Sequence, residues 1–370
     1  MSKVLGIVNF ESPYVKVNGL GDHRPISAAS ILGRYRVIDF SISNFTNSGI
    51  MNIKVFIKNR PRSLVEHIHS TNYNVNEKKG KIHLLYGERE YSNEIYNTDI
   101  ASMQANLQYI NEVQAEYVVV APSHFIYTQD FNEIIDFTKK KGNDITVLYQ
   151  SIDSGDVEYL MGDVVVMNKN KKVERFTRQR GRIKNINVSL ETYVMKKELF
   201  VELIMKASQT SSLYTLSNII SDSCKELKVY GYKHSGYCAC INSLKSYYDC
   251  CMNLTDDKHL HGFINDEWPI HTMTNDSCPT LYKDGAQVKG SLVANGSIIE
   301  GKVINSIISR NVVIKKGAEV KDSIVLPDAV IDSGAYIENT IVDRFAHVSD
   351  LNKLVGSKED PVYVKRGDKI

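Results

Sequence analysis

The stretch Val312-Val313-Ile314-Lys315-Lys316-Gly317-Ala318-Glu319-Val320-Lys321-Asp322-Ser323-Ile324-Val325-Leu326-Pro327-Asp328-Ala329-Val330-Ile331 carries a period that decides half of the fold. Steps of six from Val312 land on Ala318, Ile324, Val330, Tyr336, Val342 and Val348, each small, aliphatic or aromatic. Each is followed within a few residues by Gly, Asp, Asn or Ser. One apolar residue in six, punctuated by turn formers, is the pattern of a triangular β-solenoid. Looser turns of it extend upstream through Val288, Ala294 and Val303-Ile304. A β-sandwich would need chance to supply every match. Because such a stack ends in open strand edges, the coils from about Val303 to Val348, with the end of the preceding domain, are expected to contact another chain. A hexapeptide acyltransferase would carry a catalytic His in or beside the coils. His347 is the only His after His271 and reads instead as a surface or packing residue.

Upstream the pattern changes kind. Val4–Val8, Ile53–Ile57, Glu116–Ala121, Asp144–Tyr149, Asp163–Met167, Val188–Met195 and Leu227–Tyr232 read as strands. Tyr35–Asn47, Arg62–Ile68, Ser102–Val113, Phe131–Lys141, Lys197–Ala207 and Leu244–Leu254 have helical spacing. Alternation of this kind implies βαβ units and a Rossmann-like, mixed but mostly parallel sheet. The expected organisation is an α/β domain over residues 1–254, a polar, Pro-containing linker over 255–284, and the β-helix over 285–370.

The 370 residues carry Lys+Arg 45 against Asp+Glu 43, a formal charge of +2. That balance supplies no field to draw the chain onto nucleic acid or an anionic membrane. No apolar run reaches the ~18 residues of a membrane span. The first residues turn polar at Asn9, too early for a secretory leader, so a cytoplasmic location is expected. The six cysteines lack common zinc spacing and read as reduced thiols.

Several blocks, in order along the whole chain, resemble one family. Gly33-Arg34-Tyr35-Arg36-Val37-Ile38-Asp39-Phe40-Ser41-Ile42-Ser43-Asn44, followed by Asn47-Ser48-Gly49-Ile50, is similar to the GG[KR]YRIIDF…LSN…NSGI block of bacterial ADP-glucose pyrophosphorylases. Leu64–Ile68, Ala115–Val119, Glu267-Trp268-Pro269-Ile270-His271-Thr272 and Asp322–Ala329 match in the same way. The resemblance implies a nucleotidyltransferase domain followed by a left-handed parallel β-helix. In that family the phosphate of glucose 1-phosphate attacks the α-phosphorus of ATP. A Gly-rich loop with an Arg holds the triphosphate, carboxylates carry Mg²⁺, and a lysine grips the sugar phosphate.

The chain departs from this pattern at each chemical position. The loop after the first strand reads Asn9-Phe10-Glu11-Ser12-Pro13-Tyr14-Val15, without the glycine pair or the arginine. Ser123 stands where the family has its metal-binding Asp, and Cys240 where it has the second metal carboxylate. The nucleotide loop survives only as Tyr96-Asn97-Thr98-Asp99, with a bulky Tyr96 in place of glycine, and the Glu-Lys-Pro segment is absent. A retained scaffold with an eroded site resembles the GlgD type of regulatory subunit. No catalytic residues, no cofactor and no metal are therefore expected, with Mg²⁺ required only if carboxylates such as Asp39, Asp99, Asp130 and Asp163 rebuild an active site. The expected partner is the catalytic subunit, in a heterotetramer. Arg24, at the family's Lys-Pro dipeptide, together with Arg34 and Arg36, are the candidates to meet a phosphorylated metabolite effector. An active sugar-1-phosphate nucleotidyltransferase, and a scaffold or acyltransferase-type protein, are the alternative readings.

Overall fold

A computed structural model describes residues 4–11, 15, 17–76, 78, 80–87, 96–256, 260 and 263–370. Ser12, Pro13 and Tyr14 of the loop discussed above lie outside the described residues. The first domain is built on a nine-stranded mixed sheet. Its main path runs Val173–Arg178, Asp163–Met167, Ile186–Lys196, Tyr117–Pro122, Val4–Asn9, Asn52–Ile57 and Ile82–Tyr86. Ile145–Ile152 and Val229–Lys233 extend it from Ile186–Lys196. Val4–Asn9 pairs in parallel with both Asn52–Ile57 and Tyr117–Pro122. Strands covered on both faces read as unbroken apolar runs, and Tyr117–Pro122 is buried throughout.

The family-like block from Gly33 to Ile50 is a packing element. Tyr35-Arg36 forms a short strand, and the helix Val37–Asn47 that follows is buried from Val37 to Thr46. A helix enclosed on all sides must satisfy its polar side chains internally. Ser41 Oγ donates to Pro122 O at 2.6 Å, and Asn44 Nδ2 donates to Tyr127 O at 3.0 Å. Asn44 Oδ1 accepts from Trp268 Nε1 at 2.9 Å, while Ser43 Oγ accepts from His271 N at 2.9 Å. Asp39 Oδ1 meets His67 Nε2 at 2.6 Å and accepts from Tyr73 Oη at 2.5 Å. The block and the Glu267–Thr272 segment thus hold one another.

The C-terminal part is three parallel five-stranded sheets, beginning at Leu281–Tyr282. The central coils repeat every 17 residues, with Ile307 beside Ile324 and Ile324 beside Ile341, while an earlier coil has 15, with Leu292 beside Ile307. A strict step of six therefore drifts out of phase. Val312, Ala318, Val342 and Val348 fill the interior of the stack, but Val330 and Tyr336 are only half-buried. Ile324 points outward with Ile307 and Ile341, and this row packs on the first domain. One face of the coils expected to contact another chain is thus covered by the chain's own first domain.

The junction is polar as well as apolar. The Arg24 side chain is buried against both carboxylate oxygens of Asp343, whose Oδ2 also accepts from Tyr363 Oη at 2.5 Å. Tyr247 Oη donates to Ser30 O at 2.6 Å, and Tyr248 Oη to Asp322 O at 2.6 Å. Gly19, at φ +78°, lies so close to Tyr363 that a Cβ there would sit 2.2 Å from the ring. No described helix is long and apolar enough to cross a membrane.

Candidate functional site

The carboxyl ends of the parallel strands Val4–Asn9 and Tyr117–Pro122 open on the same edge, where sheets of this kind bind their ligands. Ser123 N donates to Asn9 O at 2.8 Å, joining the two strand ends. Asn9 Nδ2 donates to Asp99 Oδ2 at 3.0 Å. Thr98 caps the helix Asp99–Ala105, its Oγ1 accepting from Ala101 N at 3.2 Å. The Asp99 carboxylate also accepts from Ile100 N at 2.8 Å and from Leu216 N at 3.2 and 3.3 Å. Burial raises its pKa even so.

Two adjoining cavities occupy the cleft, sharing Asp163 and Glu191 as walls. Asn9, Glu11, Asp99, Arg178 and Tyr193 line the first, of about 30 Å³. His124, Tyr159 and Cys240 line the second, of about 20 Å³. Each has room for about one or two waters, whereas pockets that take drug-sized ligands measure roughly 300–1,000 Å³. Among the described residues the cleft does not hold the space of a nucleotide.

Glu191 reaches the cleft because the register of its strand shifts between Ser189 and Thr192, and its φ is +47°. A bulge of this kind re-aims one side chain. Withdrawal from solvent, then Asp163 and Asp99, push the Glu191 carboxyl up to about 8, so it is mostly protonated at pH 7. Burial pulls His124 down to about 3 and keeps it neutral; its Nε2 is 3.9 Å from Glu191 Oε1, beyond hydrogen-bond reach. Asp163 is held by Arg178 Nη1 at 3.1 Å and by Ser217. Of the four carboxylates weighed for an active site, only Asp99 and Asp163 come together. Asp39 serves the buried helix, and Asp130 caps Phe131–Lys141. Glu191 was missed, although a lone charge within the apolar Val188–Met195 run is its signal.

Ser123 is buried, and its hydroxyl has no hydrogen-bond partner among the described residues. Cys240 pairs with Phe125 in a short antiparallel ladder. Burial, with the Glu191 charge next, raises its thiol well above the ordinary range. A hard dication takes carboxylate and carbonyl oxygens. A neutral hydroxyl and a protonated thiol do not fit Mg²⁺, and among the described residues no three His, Cys, Asp or Glu side chains are grouped to hold a metal.

Tyr96 is 40% exposed at the edge of the old nucleotide loop, and Asn97 is half-buried beside the Thr98 cap. Arg24 is committed to Asp343. Arg36 Nη1 donates to Ala28 O at 3.0 Å; burial, then the charges of Arg24 and Arg344, draw its pKa down to about 10. Arg34 is exposed and lies over the Tyr35 ring at 5.2 Å. The structure thus places one of the three arginines on the surface.

The nucleotidyl transferase family matches residues 19–257, and the GlmU-like C-terminal hexapeptide family matches residues 280–361. The chain is 25% identical to the glycogen biosynthesis protein GlgD of Bacillus subtilis over 373 residues, covering 99% of this chain and 96% of that protein. It is 29% identical to the glucose-1-phosphate adenylyltransferase of Mycoplasma mobile over 296 residues, covering 78% and 77%. It is 26% identical to the corresponding protein of Fervidobacterium nodosum, covering 99% and 89%.

Proposed function

The chain belongs to the nucleotidyl transferase family, and from that premise we propose that it is a catalytically impaired, regulatory subunit in glycogen synthesis. It assembles in the cytoplasm with a full-motif glucose-1-phosphate adenylyltransferase, in a heterotetramer, and raises that enzyme's output of ADP-glucose. The similarity to GlgD over nearly the whole length supports the pathway. The observation that carries the impaired site is the cleft itself. Its two cavities of about 30 and 20 Å³ are too small for ATP, and Cys240, which lines the second, and the buried Ser123 are the residues that the resemblance sets at the family's metal carboxylates. Stabilising the charge on a leaving pyrophosphate requires donors and a cation aimed at it in advance. Here the facing groups include Glu11, Asp99, Asp163 and Glu191, which oppose that charge when ionised. No Mg²⁺ is required by this reading. A phosphorylated effector, if bound, meets Arg34, since Arg24 and Arg36 are engaged elsewhere.

The test is a pyrophosphate-release assay with ATP, glucose 1-phosphate and Mg²⁺, on the isolated chain and on its mixture with the full-motif homologue from the same genome. The expected result is negligible turnover alone and increased turnover of the homologue in the mixture. Robust Mg²⁺-dependent release by the isolated chain would overturn the reading.

A further inference from the structure

We infer that the adjoining ends of the strands Ile145–Ile152 and Ile186–Lys196 carry a binding site for an uncharged oligosaccharide, separate from the remnant cleft. A hollow of about 500 Å³ opens there, lined by Ser151, Ile152, Asp153, Asn185, Ile186 and Asn187. It shares no lining residue with the two cavities of the cleft. Unlike them, it has the size of pockets that take small ligands, roughly 300–1,000 Å³.

The ladder explains why polar side chains gather at this point. Ile152 pairs with Ile186 and Ser151 with Asn187 in antiparallel register. Beyond them Gly155 N donates to Lys184 O at 2.8 Å, so Asp153 and Ser154 stand opposite the single residue Asn185. Two residues against one is the geometry of a bulge, which bends the strand and re-aims its side chains. Ser151 Oγ donates to Asn187 Oδ1 at 2.8 Å, which leaves the Asn187 amide nitrogen to donate elsewhere. The Asp153 and Asn185 side chains are exposed and make no hydrogen bond or ion pair among the described residues.

Charge sets the class of ligand. Asp153 is the one ionisable side chain in the lining, and no Lys, Arg or His stands there to meet a phosphate. Lys184, next to Asn185 in the chain, faces Asp156 at 3.8 Å instead. A nucleotide or a sugar phosphate would therefore meet the Asp153 carboxylate without a counter-charge. A purely apolar ligand fails for the opposite reason, since it would cover a carboxylate, two amides and a hydroxyl and leave them unpaired. Those four groups include both donors and acceptors. Neighbouring sugar hydroxyls, each able to donate and to accept, satisfy such a set, and Ile152 and Ile186 meet the C–H surface of the rings.

The choice of an α-linked glucose oligomer as the first probe rests on the proposed function; the uncharged-sugar class does not. The full-length chain, with its isoleucine methyl groups labelled for nuclear magnetic resonance, is titrated with maltotriose, with cellotriose and with glucose 1-phosphate. Maltotriose is expected to shift the Ile152 and Ile186 methyls saturably. Asp153→Ala and Asn185→Ala are each expected to weaken its binding about tenfold, the scale of one lost hydrogen bond. Their melting temperatures are expected to match wild type, because both side chains are exposed. If neither trisaccharide moves these methyls, the site is overturned, while the proposed function, tested by activation of the homologue, still stands. Binding of cellotriose alone keeps the sugar site and removes its tie to glycogen synthesis. Glucose 1-phosphate that binds here more tightly than maltotriose overturns the uncharged class. Wild-type affinity in both variants overturns the assignment to these residues.

Discussion

The junction between the two domains predicts a large energetic effect from a residue far from the cleft. Asp343 is fully buried, and it accepts from Arg24, from Tyr363 Oη at 2.5 Å and from Arg344 N at 2.6 Å. Replacing it by Asn removes the charge while nearly preserving shape, and leaves the Arg24 guanidinium, only 5% exposed, without its counter-ion. Breaking a buried pair by removing one partner costs about 3–5 kcal/mol. The Asn side chain still accepts one hydrogen bond, so the lower end, about 3 kcal/mol, is expected. Replacing both partners by apolar residues, as in Arg24→Met with Asp343→Leu, is expected to cost much less, because no charge is then stranded. The assay is urea unfolding followed by tryptophan fluorescence and far-ultraviolet circular dichroism, on Asp343→Asn and on Arg24→Met, Asp343→Leu and their double variant, the last three forming a cycle with wild type. Trp268 lies beside the buried helix, its Nε1 bonded to Asn44, and reports on the junction side of the first domain. If Asp343→Asn destabilises by under 1 kcal/mol, or if the double variant is as unstable as the sum of the singles, the pair is not the tie described here.

Three further outcomes are expected. Ser123→Asp alone gains no pyrophosphate-release activity, because a metal site needs its whole ligand set and its supporting shell; strong activity would show that the rest of the site is intact. Glu191→Gln flattens part of the pH dependence of stability: the wild-type carboxyl keeps a proton in the folded state up to about 8, whereas an unfolded Glu loses it near 4.5. Its stabilising contribution is therefore complete below pH 4.5 and lost as pH rises to 8, so the variant gains on wild type across that window, and parallel pH–stability curves would refute the assignment. Asp39→Ala strands His67 and Tyr73 in the core and lowers stability by at least about 2 kcal/mol in urea titration, while Asp130→Ala, an exposed cap, costs about 1 kcal/mol.

The fold classes were legible because each rests on a strong local signal. The Tyr117–Val120 run could only be a strand buried on both faces, and the six-residue step found the β-helix. What the step missed is physical: the central coils are 17 residues, not 18, so a rigid period slides onto outward positions such as Ile324. Helix Leu216–Ser223 and strand Val173–Arg178 escaped because their apolar residues are few and their neighbours polar. At the site, Asp99 and Asp163 were legible among the carboxylates that could serve an active site, Asp99 as the end of the remnant nucleotide loop. Glu191 was not, because the bulge that turns it into the cleft leaves only a lone charge in an apolar run as its trace in the sequence. Arg24 read as a candidate for a phosphorylated effector because its buried partner lies 319 residues further along the chain. No local pattern carries a contact of that range.

The distribution of what resembles the family and what does not follows from how each residue spends its free energy. Ser41, Ser43, Asn44 and Asp39 each satisfy a buried donor or acceptor, so changing one leaves an unpaired polar group in the core at a cost of about 1–3 kcal/mol. A metal carboxylate has no such internal duty: its charge is an expense to the fold unless a cation or substrate meets it. At Ser123 and Cys240, where the resemblance sets the metal carboxylates, the chain carries small neutral groups that need no cation, beside cavities of water size. The closure is shared among Glu191 on its bulge, Tyr193, Tyr159 and the Asn9–Asp99 bond. Reopening the cleft therefore means moving a strand, a loop and a helix start together. A single restored ligand cannot do that, which is why activity, if it is to be recovered in this scaffold, should require replacing the loop after the first strand along with both metal positions.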